Sequence, residues 1–244
     1  MKVIVIIPAA GLGTRMASSS ATAQGKTPSK QFLTIAGAPI LIHTLRKFVA
    51  CPEVTEICIA LRPQEAEGFS ADLSSYGIDP KRIQIAEGGE HRQQSVANAL
   101  RVVKAETDDI VLVHDAVRPF VERETIVGVI EAVKKHGAAI AGIPAVDTIK
   151  QVERTADGAL IRATIPREVL VQAQTPQGVR YGVLKRALDE AEMEGFLGTD
   201  EASLLERAGQ DVYVVMGSAK NIKITTPADL ELAEFYLGAE KAKA

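Results

Sequence analysis

The sequence predicts an α/β fold, a mostly parallel twisted sheet flanked by helices on both faces. Three observations carry that prediction. Short, wholly apolar runs recur along the chain, right in length for buried strands and too short to span a bilayer. Between several of them lie stretches with apolar residues at spacings of three and four, the period of an amphipathic helix. With 244 residues, 46% of them hydrophobic, the chain can enclose one large core, and it shows no internal repeat or low-complexity linker. Alternating elements of these two kinds pack as a parallel sheet covered by its crossover helices.

The first strand is the run Val-Ile-Val-Ile-Ile at Val3–Ile7. It leads straight into Pro8-Ala9-Ala10-Gly11-Leu12-Gly13-Thr14-Arg15, a turn of small residues ending in a cation. Small side chains let backbone N–H groups approach an anion, and a guanidinium adds a positive fork beside them. This stretch therefore reads as a phosphate-handling loop at the carboxyl end of a central strand. Ala17–Ser29, rich in Ser, Ala, Thr and Gly, is expected to be a mobile loop. A helix at Ile40–Phe48, strands at Ile57–Leu61 and Ile83–Ala86, a helix at Ser95–Val103, a strand at Ile110–Val113, a helix at Thr125–Val133 and a strand at Ala138–Ile143 continue the alternation.

Asp147–Gln177 breaks the rhythm. β-Branched residues alternate on either side of Asp157-Gly158, and an Asp-Gly between two strand-like runs signals a hairpin. Residues 147–177 are expected to project as an arm that meets a partner. A helix at Val183–Ala191, a strand at Val212–Val215 and a helix from Pro227 complete one domain over residues 1–238. The Lys- and Ala-rich tail is expected to fray beyond Tyr236, with 239–244 outside the domain.

A net charge of -3 argues against a nucleic-acid-binding surface, though not against a local basic pocket. Cys51 and Cys58 have no histidine at metal-ligand spacing, and His43, His91, His114 and His136 show no zinc spacing, so no metal held by protein ligands is expected. The N-terminus lacks a basic region followed by an apolar segment of signal length; the expectation is a soluble cytoplasmic protein without a membrane partner. Two near-motifs fail. Gly11-Leu12-Gly13-Thr14-Arg15-Met16 has the first two glycines of a dinucleotide fingerprint, but Met16 stands at the third, and no acid ends a second strand where a ribose hydroxyl needs it. Gly25-Lys26-Thr27 matches the end of a Walker A loop, but Ser20 stands where the first glycine belongs and no strand leads into it.

Five compact polar stretches fall where ligand loops belong. They are Gly11–Arg15 with Lys30-Gln31-Phe32, Gly88-Gly89-Glu90-His91-Arg92 with Ser95 one helical turn on, His114-Asp115-Ala116-Val117-Arg118-Pro119, Gln174-Thr175-Pro176-Gln177, and Asn221-Ile222-Lys223-Ile224-Thr225. Loops at the carboxyl ends of strands line the crevice of an open α/β sheet. That order gathers Arg15, Lys30, Arg118, Arg167 and Lys223 into one basic pocket. Cations with few catalytic acids suit phosphoryl-type transfer, where positioning and charge stabilisation outweigh proton transfer. Bland readings stand beside each: Arg15 or Lys30 as a solvated charge, Asp115 as a helix or turn cap, Gly88-Gly89 as a plain turn.

Taken together, Pro8–Met16, Lys30–Leu33, Gly88-Gly89 with Arg92 and Ser95, Val113–Pro119, Asp147-Thr148, Thr175–Gln177, Thr199–Ser203 and Asn221–Thr225 make the chain resemble the 2-C-methyl-D-erythritol 4-phosphate cytidylyltransferase family of the non-mevalonate route to isoprenoids. The pieces stand in family order from Lys2 to Leu237. The resemblance implies a Rossmann-like sheet of the nucleotide-diphospho-sugar transferase type. It also implies a nucleotidyltransferase that joins CMP from CTP to methylerythritol phosphate and releases pyrophosphate, with Mg²⁺ held mainly by the CTP phosphates. By similarity, the backbone of Ala9, Ala10, Gly11, Leu12 and Gly13 wraps the triphosphate, and Gly89, Glu90 and Ser95, with Ala9 and Ala10, hold the cytosine and ribose. Arg15 and Lys30 stabilise charge on the α-phosphate and departing pyrophosphate. Asp115 and Arg118 bind the sugar-alcohol phosphate, while Lys223 and Arg167, helped by Thr148 and Thr175, aim it at the α-phosphorus. A homodimer is implied in which the arm brings Thr148 and Arg167 to the neighbouring subunit's site.

The chain departs from the family pattern at two points. The loop before Lys30 is long, with Ser29 between Pro28 and Lys30, which leaves Lys26 as a competing candidate. Glu90 stands where Asp is common. Other readings of the same motifs are a ribitol 5-phosphate cytidylyltransferase, a nucleotide-binding oxidoreductase using NAD, and a binding protein without catalysis.

Overall fold

In the computed structural model, which describes residues 1–11 and 29–241, the opening apolar run lies at the middle of a seven-stranded sheet. β1 (Val3–Pro8) sits between β4 (Glu56–Leu61) and β6 (Ile110–Val113) and runs parallel to both, with Val5 opposite Ile57 on one side and Leu112 on the other. A strand flanked on both edges and covered on both faces has no polar position, which is why this run is unbroken Val and Ile. Side chains alternate between the faces. Val3, Val5 and Ile7 face one core with α1 (Ile40–Val49), α2 (Pro63–Asp72) and α4 (Arg123–His136). Ile4 and Ile6 face a second core with α3 (Arg92–Val102), α5 (Tyr181–Met193) and α6 (Glu201–Arg207).

β5 (Ile83–Glu87) adds to β4 in parallel. Beyond β6 the order continues with β10 (Val171–Arg180), β7 (Ala138–Pro144) and the edge strand β11 (Tyr213–Met216). β10 alone runs antiparallel to its neighbours. Gly178 within it has no room for a side chain, since a Cβ there would lie 2.7–2.9 Å from Val129, Val133 and Leu112. A small third core joins the ribbon of β2 (Thr34–Ile35) and β3 (Ala38–Pro39) to α7 (Pro227–Lys241) through Ile35, Ile40, Val117, Phe120, Ile224, Ala233 and Leu237.

The sheet and helices expected from periodicity are present, with changes of extent that have local causes. α3 begins at Arg92, three residues before the apolar pattern starts, because its first turn is polar and faces the site described below. α7 does not stop at Tyr236: Leu237 is buried in the third core, and the helix continues to Lys241. The segment 147–177 consists of two different parts. β8 (Ile149–Thr155) and β9 (Gly158–Ile165) form a separate two-stranded hairpin that turns at Asp157-Gly158. Residues 171–177, by contrast, belong to β10 at the heart of the main sheet. α2 and α6 carry no apolar stripe long enough to read from sequence; α2 buries only Phe69.

Candidate active site

A cleft opens over the carboxyl ends of β1, β5 and β6, where the strand order turns from one side of the sheet to the other. This is the position at which open α/β sheets bind ligands. Its walls include Ala9, Ala10 and Gly11 after β1, Lys30 and Gln31, Gly89, Glu90, Arg92 and Ser95 around the start of α3, Asp115 after β6, and Lys223.

The floor is set by close backbone approach. Gly88 cannot carry a side chain: a Cβ would fall 2.1 Å from the Ala10 Cβ and 3.2 Å from the Leu61 carbonyl oxygen. The loops after β1 and β5 therefore pack directly on one another, which keeps this wall low and flat. Gly11 faces open space. Ser95, 2% exposed, accepts the Gly89 N–H at 3.0 Å and donates to the His91 carbonyl at 3.1 Å, pinning the glycine loop to the first turn of α3. Gln31 is buried and its side-chain amide donates to the Ala9 carbonyl, tying the Lys30 turn to the loop after β1.

Asp115 is the centre of charge. Its Oδ1 lies 3.4 Å from Arg92 Nε, and its Oδ2 lies 3.2 Å from Arg118 Nε and 3.0 Å from Lys223 Nζ. Burial opposes ionisation of this carboxyl, but Arg92, Lys223 and Arg118 outweigh it and hold its pKa well below the usual range. Three cations against the two carboxylates of Asp115 and Glu201 leave this cluster with one positive charge in excess. Arg118 also donates from Nη1 to the Asn221 carbonyl at 2.6 Å, and Arg92 makes a two-pronged pair with Glu201 at 2.6 and 2.9 Å. Arg92, anchored in this way, presents a fixed charge to the cleft, and Arg118 holds Asp115 beside it.

Behind Asp115 runs a buried chain of hydrogen bonds. Thr175 Oγ1 accepts the Asp115 N–H at 3.1 Å and lies 3.0 Å from His114 Nδ1, while His114 Nε2 lies 3.0 Å from the Arg118 carbonyl oxygen. A carbonyl can only accept, so Nε2 carries the proton; the neutral ring then accepts at Nδ1 from the Thr175 hydroxyl. Burial pushes the His114 pKa down to about 4 and keeps the ring neutral. Thr175 reaches this point because β10 has an irregular register between Ala173 and Gln177, and such bulges re-aim side chains. The Thr175-Pro176 peptide is cis.

The geometry brings together Ala9, Ala10, Gly11, Lys30, Gly89, Glu90, Ser95, Asp115 and Lys223 as cleft walls, with Arg118 and Thr175 in contact with Asp115. Thr148 and Arg167 stand apart on the exposed root of the hairpin; Arg167 donates to the Val146 carbonyl at 3.0 Å. Leu12, Gly13, Arg15 and the competing Lys26 lie outside the described residues, as does the expected mobile loop up to residue 28. Asp115 is no simple cap, because its side chain is committed to three cations. Sequence reasoning quoted Gln31, Arg92, His114, Glu201 and Asn221 without giving them work. The available signal was a buried strand ending in His-Asp, and a glycine pair followed by an arginine.

A family model described as 2-C-methyl-D-erythritol 4-phosphate cytidylyltransferase matches residues 3–239. The chain is 60% identical over 237 residues to the 2-C-methyl-D-erythritol 4-phosphate cytidylyltransferase of Acidobacterium capsulatum, covering 97% of this chain and 98% of that one. It is 49% identical over 243 residues to that of Solibacter usitatus, covering all of this chain and 98% of the other. The crystal structure of the Francisella tularensis enzyme of the same name superposes with a TM-score of 0.79 at 37% identity, over 96% of this chain and 99% of that one. That of Thermus thermophilus gives 0.75 at 33%, over 97% and 99%. Matches of this extent span nearly the whole chain, and the chain belongs to the 2-C-methyl-D-erythritol 4-phosphate cytidylyltransferase family.

Proposed function

We propose that this protein transfers CMP from CTP to 2-C-methyl-D-erythritol 4-phosphate and releases pyrophosphate, and that it does so in the cleft around Asp115. The observation that carries the reading is the net-positive cluster of Arg92, Arg118 and Lys223 around Asp115, with Arg92 and Lys223 in the cleft wall facing a floor of backbone at Ala9–Gly11 and Gly89. The floor suits a nucleoside triphosphate, and the wall suits a second phosphate brought up beside it.

A phosphate oxygen of the sugar alcohol attacks the α-phosphorus of CTP, the bond to the bridging oxygen breaks, and pyrophosphate leaves with the electron pair. The attacking phosphate is already an anion at neutral pH, so no strong general base is required. The obstacle is repulsion between two polyanions, and fixed cations remove it. In this reading Ala9, Ala10, Gly11, Leu12 and Gly13 cradle the triphosphate, and Gly89, Glu90 and Ser95 hold the nucleoside. Arg15 and Lys30 stabilise charge on the α-phosphate and leaving group. Asp115 and Arg118 bind the sugar-alcohol phosphate substrate, the ionised Asp115 as an acceptor for its hydroxyl groups, and Lys223 aims its phosphate. The buried Thr175–His114 chain fixes the backbone of Asp115.

Among the described residues no group of three or more His, Cys, Asp or Glu is placed to hold a metal, and Asp115 is committed to its cations. Mg²⁺ would be held mainly by the CTP phosphates, where it neutralises phosphate oxygens. Thr148 and Arg167 are read as serving a second copy's site through the hairpin arm. Ile149, Val152, Leu160 and Ile161 on the arm, with Val169 at its root, are exposed apolar side chains, which supports a homodimer. No helix among the described residues is long and apolar enough to cross a membrane, and a cytoplasmic setting completes the reading.

Steady-state kinetics of Lys30→Ala and Lys223→Ala test the assignment. Loss of one such charge is expected to lower turnover by about 10²–10³, with CTP affinity changed far less for Lys30. Near-normal turnover in either variant removes that residue from its role.

A further inference from the structure

The helix α2 carries no apolar stripe, yet its exposed-looking sequence grips the turn that bears Lys30. Glu65 and Phe69 are four residues apart and share one face of the helix. Glu65 Oε1 accepts from Ser29 Oγ at 2.8 Å, and the Phe69 ring meets Phe32 edge-on at a centroid distance of 5.8 Å. Arg62, which immediately precedes α2, donates from Nη2 to both Ser29 Oγ and Glu65 Oε1. Ser29 itself is buried, and its carbonyl accepts the Phe32 N–H at 2.8 Å, closing the turn over Lys30. The two residues that bracket Lys30 are thus both fastened to α2.

Stability does not explain this arrangement. Arg62 Nε and Glu65 Oε2 are buried and find no hydrogen-bond partner among the described residues. A largely buried ion pair with unsatisfied atoms gains little net free energy, because desolvation offsets its attraction. What three mutually bonded side chains do supply is a fixed position. Ser29 both donates to the carboxylate and accepts from the guanidinium, so its backbone, and the lysine that follows, are set relative to β4 and α2.

We propose that Ser29, held by Arg62 and Glu65, is the positioning residue that sets Lys30 in the cleft. The inference rests on the reading of Lys30 as the cation for charge developing on the α-phosphate and leaving group. A misplacement of about 1 Å costs as much as 10²-fold in a rate that depends on geometry, and truncating Ser29 loosens the turn while leaving the Phe32–Phe69 contact.

The test is a double-mutant cycle in the full-length protein, with kcat, KM for CTP and thermal midpoint measured for wild type, Ser29→Ala, Lys30→Ala and Ser29→Ala/Lys30→Ala. Ser29→Ala is expected to lower kcat about 10-fold with KM for CTP within about 2-fold, and the double variant to be no slower than Lys30→Ala alone, as residues acting through one another do. Glu65→Gln, which disturbs the clamp from the helix side, is expected to show the same coupling to Lys30. Slow turnover in Lys30→Ala with unimpaired Ser29→Ala, or with losses that multiply in the double variant, overturns this inference alone. Near-normal turnover in Lys30→Ala overturns the reading of Lys30 and this inference with it.

Discussion

Acidifying the protein from pH 7.5 to 5 titrates His114 in the unfolded chain but not in the folded one. Burial pushes the folded pKa down to about 4, against an ordinary value of about 6.5. The unfolded state therefore binds a proton that the folded state refuses. The corresponding stability is fully present above about pH 6.5 and is lost as pH falls toward 4. At about 1.4 kcal/mol per pKa unit the whole effect is about 3 kcal/mol, of which about 2 kcal/mol is gone by pH 5. The assay is urea unfolding at fixed protein concentration and at pH 7.5, 6 and 5, in wild type and in His114→Gln. His43, whose pKa burial also lowers, titrates in both proteins and cancels in the difference. Asp115, held low by its three cations, gives up its contribution only below about pH 4, outside the range used. Wild type is expected to lose about 2 kcal/mol more than the variant between pH 7.5 and 5. Parallel losses would refute the neutral, buried ring on which the Thr175–Asp115 chain depends.

Three further expectations concern the cleft and the arm. Gly88→Ala forces a Cβ to within 2.1 Å of the Ala10 Cβ; it should cost about 1–3 kcal/mol in urea unfolding and raise KM for CTP, because the two loops that form the floor must separate. Glu201→Gln leaves the Arg92 guanidinium without its buried carboxylate. Arg92 is about a quarter exposed, so the loss should be about 1–3 kcal/mol by urea unfolding, less than for a fully buried pair. For the arm, mixing inactive Arg167→Ala and Arg15→Ala subunits should restore activity, since one mixed dimer contains a site with both residues intact; no recovery on mixing would contradict sharing across subunits.

The central strands were legible because a strand buried on both faces has to be apolar throughout, as Val3–Ile7 and Ile110–Val113 are. β10 was not. It is central, yet it carries Gln174, Thr175, Pro176 and Gln177: Thr175 bonds the Asp115 backbone, Gln174 and Gln177 bond Ser218 and Asp200, and a proline argues against a central strand. α2 was hidden for a related reason: its functional face consists of Glu65 and Phe69, which make no stripe. At the site, loops at strand ends announced themselves through Gly88-Gly89 and His114-Asp115. The pairing of Arg92 with Glu201 did not, because the two are 109 residues apart, and a glutamate that is 1% exposed looks in sequence like any surface acid. Three of the four pairings of Asp115 and its backbone are likewise products of the tertiary fold, drawn from α3, β10 and the segment before α7; only Arg118 is local.

The most direct measurement is pyrophosphate release by the purified protein with CTP and Mg²⁺, run in parallel with 2-C-methyl-D-erythritol 4-phosphate and with ribitol 5-phosphate. The account predicts release that requires CTP and the erythritol phosphate together, with the ribitol phosphate a poor substitute. Release that prefers ribitol 5-phosphate, or none with either alcohol, would contradict it.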